Sequence, residues 1–320
     1  MSMFLVDTLQ DLVVEPMKKG YGRGLLEAGK NNLQIVALSS DVVGSTGTDE
    51  FTKEFPERFI EVGIAEQNLV AVASGMAAMN KVPVAAAYAA FMPGRCWEQI
   101  RTTICINDRP VVLVGTHAGI SDAPDAATHQ MLEDIAIMRS LPNMVVVAPC
   151  DSEEARKAII DATSLDKPIY IRIARDDTPI ITTTKTPFII GKANVFKEGS
   201  DITIISTGRS TYHALLAASI LDKDNINAEI VHCSTIKPLD ESTILKSVKK
   251  TGKVVVTEEH QITGGLGGAV AELLGEEYPV PMRRVGVKDR FGESGKPDDL
   301  LRAMGLTPTH IAMAAHQLIG

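Results

Sequence analysis

Aromatic side chains are scarce in this chain, at 4% of its 320 residues, with a single tryptophan. The core must therefore be built from Ala, Val, Ile, Leu and Met. Cysteine is thin as well. Cys96, Cys105, Cys150 and Cys233 form no CxxC and no zinc-type spacing. They read as reduced thiols, not as a disulfide framework. No window approaches the ~18 uninterrupted apolar residues of a membrane span. The N-terminal stretch MSMFLVDTLQDLVVEP lacks the basic start of a signal peptide. Positive charge is in deficit too. A net charge of −8 argues against a nucleic-acid partner, because phosphate binding needs clustered Lys and Arg. These absences point to a cytoplasmic protein with no membrane and no nucleic-acid partner.

What is present is a regular alternation of apolar runs and helical patterns. The runs at 33–40, 82–88, 110–116, 144–149 and 168–173 are short, rich in small or β-branched residues and bounded by turn residues, as buried strands are. Helical spacing fills the gaps at 65–79, 95–106, 132–139 and 152–163. Asp151, followed by Ser152, Glu153 and Glu154, is a helix N-cap with acids in the first turn. A polar, proline-bearing stretch then breaks the pattern. Beyond it come strands at 201–207, 228–233, 253–259 and 281–287, with helices at 213–222, 241–250, 267–274 and 309–318. Near-continuous apolar strands alternating with helices predict mostly parallel sheets covered on both faces. The expected fold is α/β, with two doubly wound domains at 1–180 and 196–320 joined by a linker at 181–195.

Candidate chemistry is concentrated between Arg58 and Gln130. Glu66 in RFIEVGIAEQN closes a strand-to-helix turn, where ligands bind in open parallel sheets. Its plainer role is electrostatic support of the helix N-terminus. Tyr88 and Phe91 in YAAF have either core spacing or the placing of a wall against a flat ring, where stacking adds about 0.5–1.5 kcal/mol. In GRCWEQIR, Arg95 and Arg101 are surface helix charges unless Arg95 turns into the site. His117 and His129 bracket the loop of THAGISDAPDAATHQ, and imidazole exchanges protons near neutrality. Arg175 in RIARDD suits a phosphate, or else an ion pair with Asp176 or Asp177. The glycine cluster at 263–272 does not fit GxGxxG, since its third position is Val270.

In order and spacing, GIAEQN, YAAF, GRCWEQIR, THAGI and THQ resemble the pyrimidine-binding domain of the transketolase family. TEEH…GGLG resembles that family's C-terminal domain, which supports assembly. The resemblance covers nearly all of the chain and implies thiamine diphosphate as cofactor. It assigns Glu66 to the aminopyrimidine nitrogen, and Tyr88, Phe91 and Arg95 to the cofactor's surroundings. His117 and His129 become catalytic and sugar-contacting, with Asp125 on a donor hydroxyl. Ser45 and Arg175 are placed on the sugar's terminal phosphate. Lys18 and Lys19 are equal candidates for a further basic contact.

The loop departs from the family, which usually has GEDG where this chain reads Ala123-Pro124-Asp125-Ala126. Loss of two glycines and gain of a proline restrict the backbone, which implies another loop shape and an altered sugar donor. No GDG…N motif for Mg²⁺ (or Ca²⁺) and diphosphate is found. The resemblance therefore implies one subunit of a split transketolase, with an N-terminal partner subunit completing an α₂β₂ enzyme. Such an enzyme moves a two-carbon ketol unit from a ketose phosphate or related ketose to an aldose phosphate. Within the superfamily the alternatives are a 2-oxo acid dehydrogenase E1 β subunit and a deoxyxylulose-phosphate synthase. Outside catalysis they are a scaffold or a regulatory subunit that keeps the fold.

Overall fold

The computed structural model describes residues 4–320. The first three positions of the domain expected from residue 1 lie outside them. In chain order the strands are β1 (Val14–Pro16), β2 (Ile35–Ser39), β3 (Phe59–Glu61), β4 (Val82–Tyr88), β5 (Val112–Thr116), β6 (Val145–Val147), β7 (Ile169–Arg172), β8 (Asp177–Pro179), β9 (Asn194–Lys197), β10 (Ile202–Ser206), β11 (Ala228–His232), β12 (Thr235–Lys237), β13 (Val254–Gln261) and β14 (Met282–Val287).

Seven strands form the first sheet, in the order β12-β6-β7-β5-β4-β2-β3, and five form the second, β14-β13-β10-β11-β9. Six neighbours of the first sheet, β6 through β3, are mutually parallel. In the second, β10, β11, β13 and β14 are parallel and only β9 runs against its neighbour. Both sheets are α/β cores as the sequence pattern implies. Strands β2 and β5 are buried along their whole length, which is why they read as unbroken apolar runs.

Four short strands go beyond what alternation announced: β1 and β8, which pair antiparallel with each other as a small separate sheet, and β9 and β12. The short strand β12 belongs by sequence to the second half, yet pairs antiparallel with β6 and closes the edge of the first sheet. Strand β9 begins at Asn194, within the stretch read as linker. The halves also share one apolar cluster, in which Met138, Leu141 and Val146 pack with Val231, Val256 and Val270.

The helix expected at 95–106 is not continuous. It divides into Met92–Arg95, Trp97–Gln99 and a π-helical turn at Ile100–Cys105. Thr102 and Thr103 turn their hydroxyls back on to the carbonyls of Glu98 and Gln99, at 2.9 and 2.7 Å. Such back-bonding competes with the regular ladder and bends helices. Among the described residues no helix is long and apolar enough to cross a membrane.

Candidate active site

Parallel pairing brings the carboxyl ends of β2, β4, β5 and β7 to one edge of the first sheet, and the crevice outside such an edge is where ligands bind. Tyr88 pairs in register with Thr116, so the residue after each strand meets its neighbour. His117 stacks on Tyr88 with ring centroids 3.9 Å apart. Phe91 lies nearly parallel to Tyr88 at 5.9 Å and meets His129 edge-on at 5.1 Å. The Arg95 guanidinium sits 4.9 Å from the centre of the Phe91 ring and donates to Glu66 Oε2 at 2.8 Å. One unbroken series of contacts thus joins His117, Tyr88, Phe91, His129, Arg95 and Glu66.

Glu66 is the first residue of helix Glu66–Ala78, and the Glu66 side chain is buried. The helix N-terminus favours its negative charge, and Arg95 adds a partner that is half exposed. Among the described residues Oε2 alone is bonded, to Arg95, and Oε1 is available to a donor in the crevice.

His117 adopts φ +60°, a left-handed conformation that costs a non-glycine residue about 1–2 kcal/mol. Its Nδ1 lies 2.9 Å from the Thr116 hydroxyl. Burial, followed by the positive charges of Arg175 and Lys18, pushes its pKa down to about 4. The imidazole is therefore neutral at physiological pH and able to accept a proton. His129 is less buried and pairs with the Thr128 hydroxyl at 2.9 Å.

The loop between the histidines is pinned from the second half of the chain. Ser294 donates to Pro124 O at 3.0 Å and Gly295 N to Ala123 O at 3.2 Å. Gln130 Nε2 bridges Asp122 O and Glu293 O at 3.2 and 3.1 Å. Glu259 accepts from Ile120 N at 2.8 Å. A Cβ on Gly119 would come within 2.4 Å of that same carboxylate, so only glycine fits there. Ala126 stands at φ +59°, a left-handed conformation that favours glycine. The backbone thus keeps a glycine-like turn without the glycine.

Arg175 pairs with neither Asp176 nor Asp177. Its Nη1 lies 2.9 Å from Oδ1 of Asp122, while Asp176 pairs with Arg209 at 3.3 Å. Asp122 was not among the sequence candidates, since a lone acid in a polar loop carries no pattern. Burial raises the pKa of its carboxyl, Arg175 opposes that rise and the neighbouring Asp125 adds to it. Ser45 sits on the short helix Val43–Thr46 that follows β2. Lys18 reaches this turn, donating to Gly44 O at 3.2 Å.

The glycine cluster has a structural explanation. The Glu258 carboxylate receives Leu266 N and Gly267 N, at 2.6 and 2.8 Å, and so fills the N-terminus of helix Leu266–Glu277. A Cβ on Gly265 would lie 2.0 Å from the same carboxylate.

Comparison with known proteins matches both halves of the chain to one family. Residues 16–180 match the transketolase pyrimidine-binding domain and residues 191–311 the transketolase C-terminal domain.

The chain belongs to the transketolase family.

Among its transketolase relatives is a putative transketolase C-terminal section from Methanocaldococcus jannaschii, 45% identical over 94% of this chain and 95% of the relative. A 6-deoxy-6-sulfo-D-fructose transketolase subunit from Clostridium sp. is 41% identical over 92% of this chain and 91% of its own length. A solved split-gene transketolase, described as an inactive β4 tetramer, superimposes with a TM-score of 0.90 at 42% identity, covering 95% of this chain and 98% of that one.

The residues at the crevice fit one part of thiamine diphosphate. A buried carboxylate beside an aromatic wall suits an aminopyrimidine, which is flat and carries N–H donors. The metal and diphosphate find no such fit there. Among the described residues the one cluster of metal-type side chains is Cys150, Glu154 and His232, and Glu154 is already paired with His232 at 2.9 Å inside the protein.

Proposed function

We propose that this chain is the pyrimidine-domain subunit of a split transketolase. It would transfer a two-carbon ketol unit from a ketose to an aldose, in the manner of pentose phosphate chemistry. The observation that carries the reading is the continuous contact series from Glu66 to His117 at the carboxyl edge of a parallel sheet. Thiamine diphosphate supplies the electron sink that carbon–carbon cleavage needs. Glu66 would hold its aminopyrimidine ring through a nitrogen, against Tyr88 and Phe91, with Arg95 steadying the carboxylate. Neutral His117 would take or return a proton at the sugar's hydroxyls, with His129 and Asp125 orienting them. Lys18, Ser45 and Arg175 would face the sugar's terminal group.

An N-terminal transketolase subunit would hold the diphosphate with Mg²⁺ or Ca²⁺ and assemble with this chain as α₂β₂. Support comes from relatives described as a C-terminal section and as subunits, each matched over nearly its whole length. Four buried free thiols are consistent with a reducing, cytoplasmic setting.

The test is ketol transfer by the chain alone and after co-expression with such a subunit, supplied with thiamine diphosphate and Mg²⁺. Activity confined to the complex is the expected result. Glu66→Ala should then lower turnover by at least about 100-fold, the scale of a lost general acid–base function, while the complex still assembles. Full activity in that variant would remove Glu66 from the mechanism.

A further inference from the structure

We infer that Asp122 is a specificity-determining residue, a built-in counter-charge that holds Arg175 and turns the sugar site away from doubly charged terminal groups. The inference rests on the transferase reading above and names the kind of sugar it would favour.

The Asp122 side chain is fully buried, and among the described residues no N–H donates to either carboxylate oxygen, while the Asp125 carboxyl beside it adds to the effect of burial in raising its pKa. A carboxylate in that position requires charge compensation, because its hydration has been lost and no N–H replaces it. Arg175 supplies it at 2.9 Å, off the line of a hydrogen bond. The guanidinium is itself 39% exposed, so one side faces the acid and the other faces solvent. A phosphate that engaged Arg175 would have to share it with Asp122 or strip the buried acid of its partner. Both weaken the phosphate contact.

The surroundings do not restore the missing charge. Arg175 opens on to a cleft of about 810 Å³ whose lining has four basic side chains and four acidic ones. Asp125 lies beside Asp122 and adds negative charge. With Arg175 cancelled, Lys18 is left as the cation beside the Gly44–Ser45 turn. One uncancelled positive charge suits a singly charged or uncharged terminal group better than a phosphate dianion. The pairing is absent from the sequence signature because it joins a loop after β5 to a loop after β7.

The experiment uses the assembled two-subunit enzyme, as wild type, Asp122→Asn, Asp122→Leu and Asp122→Asn with Arg175→Ala. Two readouts are taken: kcat/KM for ribose 5-phosphate against ribose as acceptor, and calorimetric affinity for inorganic phosphate. Removing the acid should raise preference for the phosphorylated acceptor about 10-fold through KM, a change of one Coulombic contact near the surface. Phosphate should bind correspondingly tighter, and Arg175→Ala should abolish both gains. An unchanged or lower preference in a folded complex overturns the inference, since Asp122 would then merely anchor Arg175. Failure of both single variants to assemble overturns it too, making Asp122 structural. Tighter phosphate binding with no ketol transfer would uphold the counter-charge and defeat the transferase reading. Ketol transfer with unaltered phosphate preference would do the reverse.

Discussion

His117 shows how one residue can be set by its backbone and its charges together. Its folded pKa lies near 4, against 6.5 for a free imidazole, chiefly through burial. Between those values the unfolded chain binds the extra proton and the folded chain does not. Stability from this group is therefore complete above about pH 6.5 and is lost as pH falls towards 4. His213 is likewise pushed down to about 4 by burial and acts in the same direction. Denaturant titrations should show stability falling across that window, with His117→Gln flattening part of the slope. A flat profile between pH 4 and 6.5 would remove both histidines from the account. Ala126 offers a second test. Replacement by glycine relieves a left-handed alanine, worth about 1–2 kcal/mol, and loses about 0.4–1 kcal/mol through the freer unfolded chain. Ala126→Gly should leave the melting temperature unchanged or slightly higher, and a clear fall would show that the loop depends on alanine's side chain. Glu66, Tyr88, Phe91, His117 and His129 were singled out in the sequence by the order of motifs that resembles the transketolase family, and the structure brings them into one contact series. Asp122 was not, because its meaning lies in a partner more than fifty positions away.

At the scale of elements, pattern reading succeeded where one force dominated. Fully buried β2 and β5 announce themselves by composition, and helix Ser152–Ala162 by its Asp151 cap, which accepts Glu154 N at 2.9 Å. The segment after Arg95 misled because its apolar spacing is helical while its threonines are bonded backwards. The edge strands β9 and β12 were missed because each is short and carries no alternation. Glu258 holds the first turn of one helix in place. Glu258→Ala strands two buried amide donors at the start of Leu266–Glu277 and forfeits two charge-assisted bonds. At about 1–3 kcal/mol for each orphaned group, a destabilisation of roughly 2–6 kcal/mol is expected by chemical denaturation. A loss under about 0.5 kcal/mol would mean that solvent replaces the carboxylate.

For the whole molecule, the two α/β halves are coupled at the place where the chemistry is expected. Arg172 on β7 donates to the backbone of Glu259 on β13 at 2.8 Å and to Asp134 at the same distance. Glu259 in turn holds Ile120, so the loop between the histidines leans on the second sheet. A Gly119→Ala change would drive a methyl group into Glu259, and it should lower activity of the assembled enzyme at least tenfold with little effect on its cofactor affinity. Equal losses in both would show a general collapse of the site. The pattern of alternating elements revealed the two halves but not this brace, because contacts between distant segments leave no period in the sequence.

Strand β12 carries a consequence for heredity. A recombination breakpoint placed near residue 190 would look clean on a linear map, yet it would part β6 from the strand that covers it. The first half alone would present an open ladder of amides and carbonyls, a template for pairing with its own copies. Selection would then disfavour shuffling these two halves as separate cassettes.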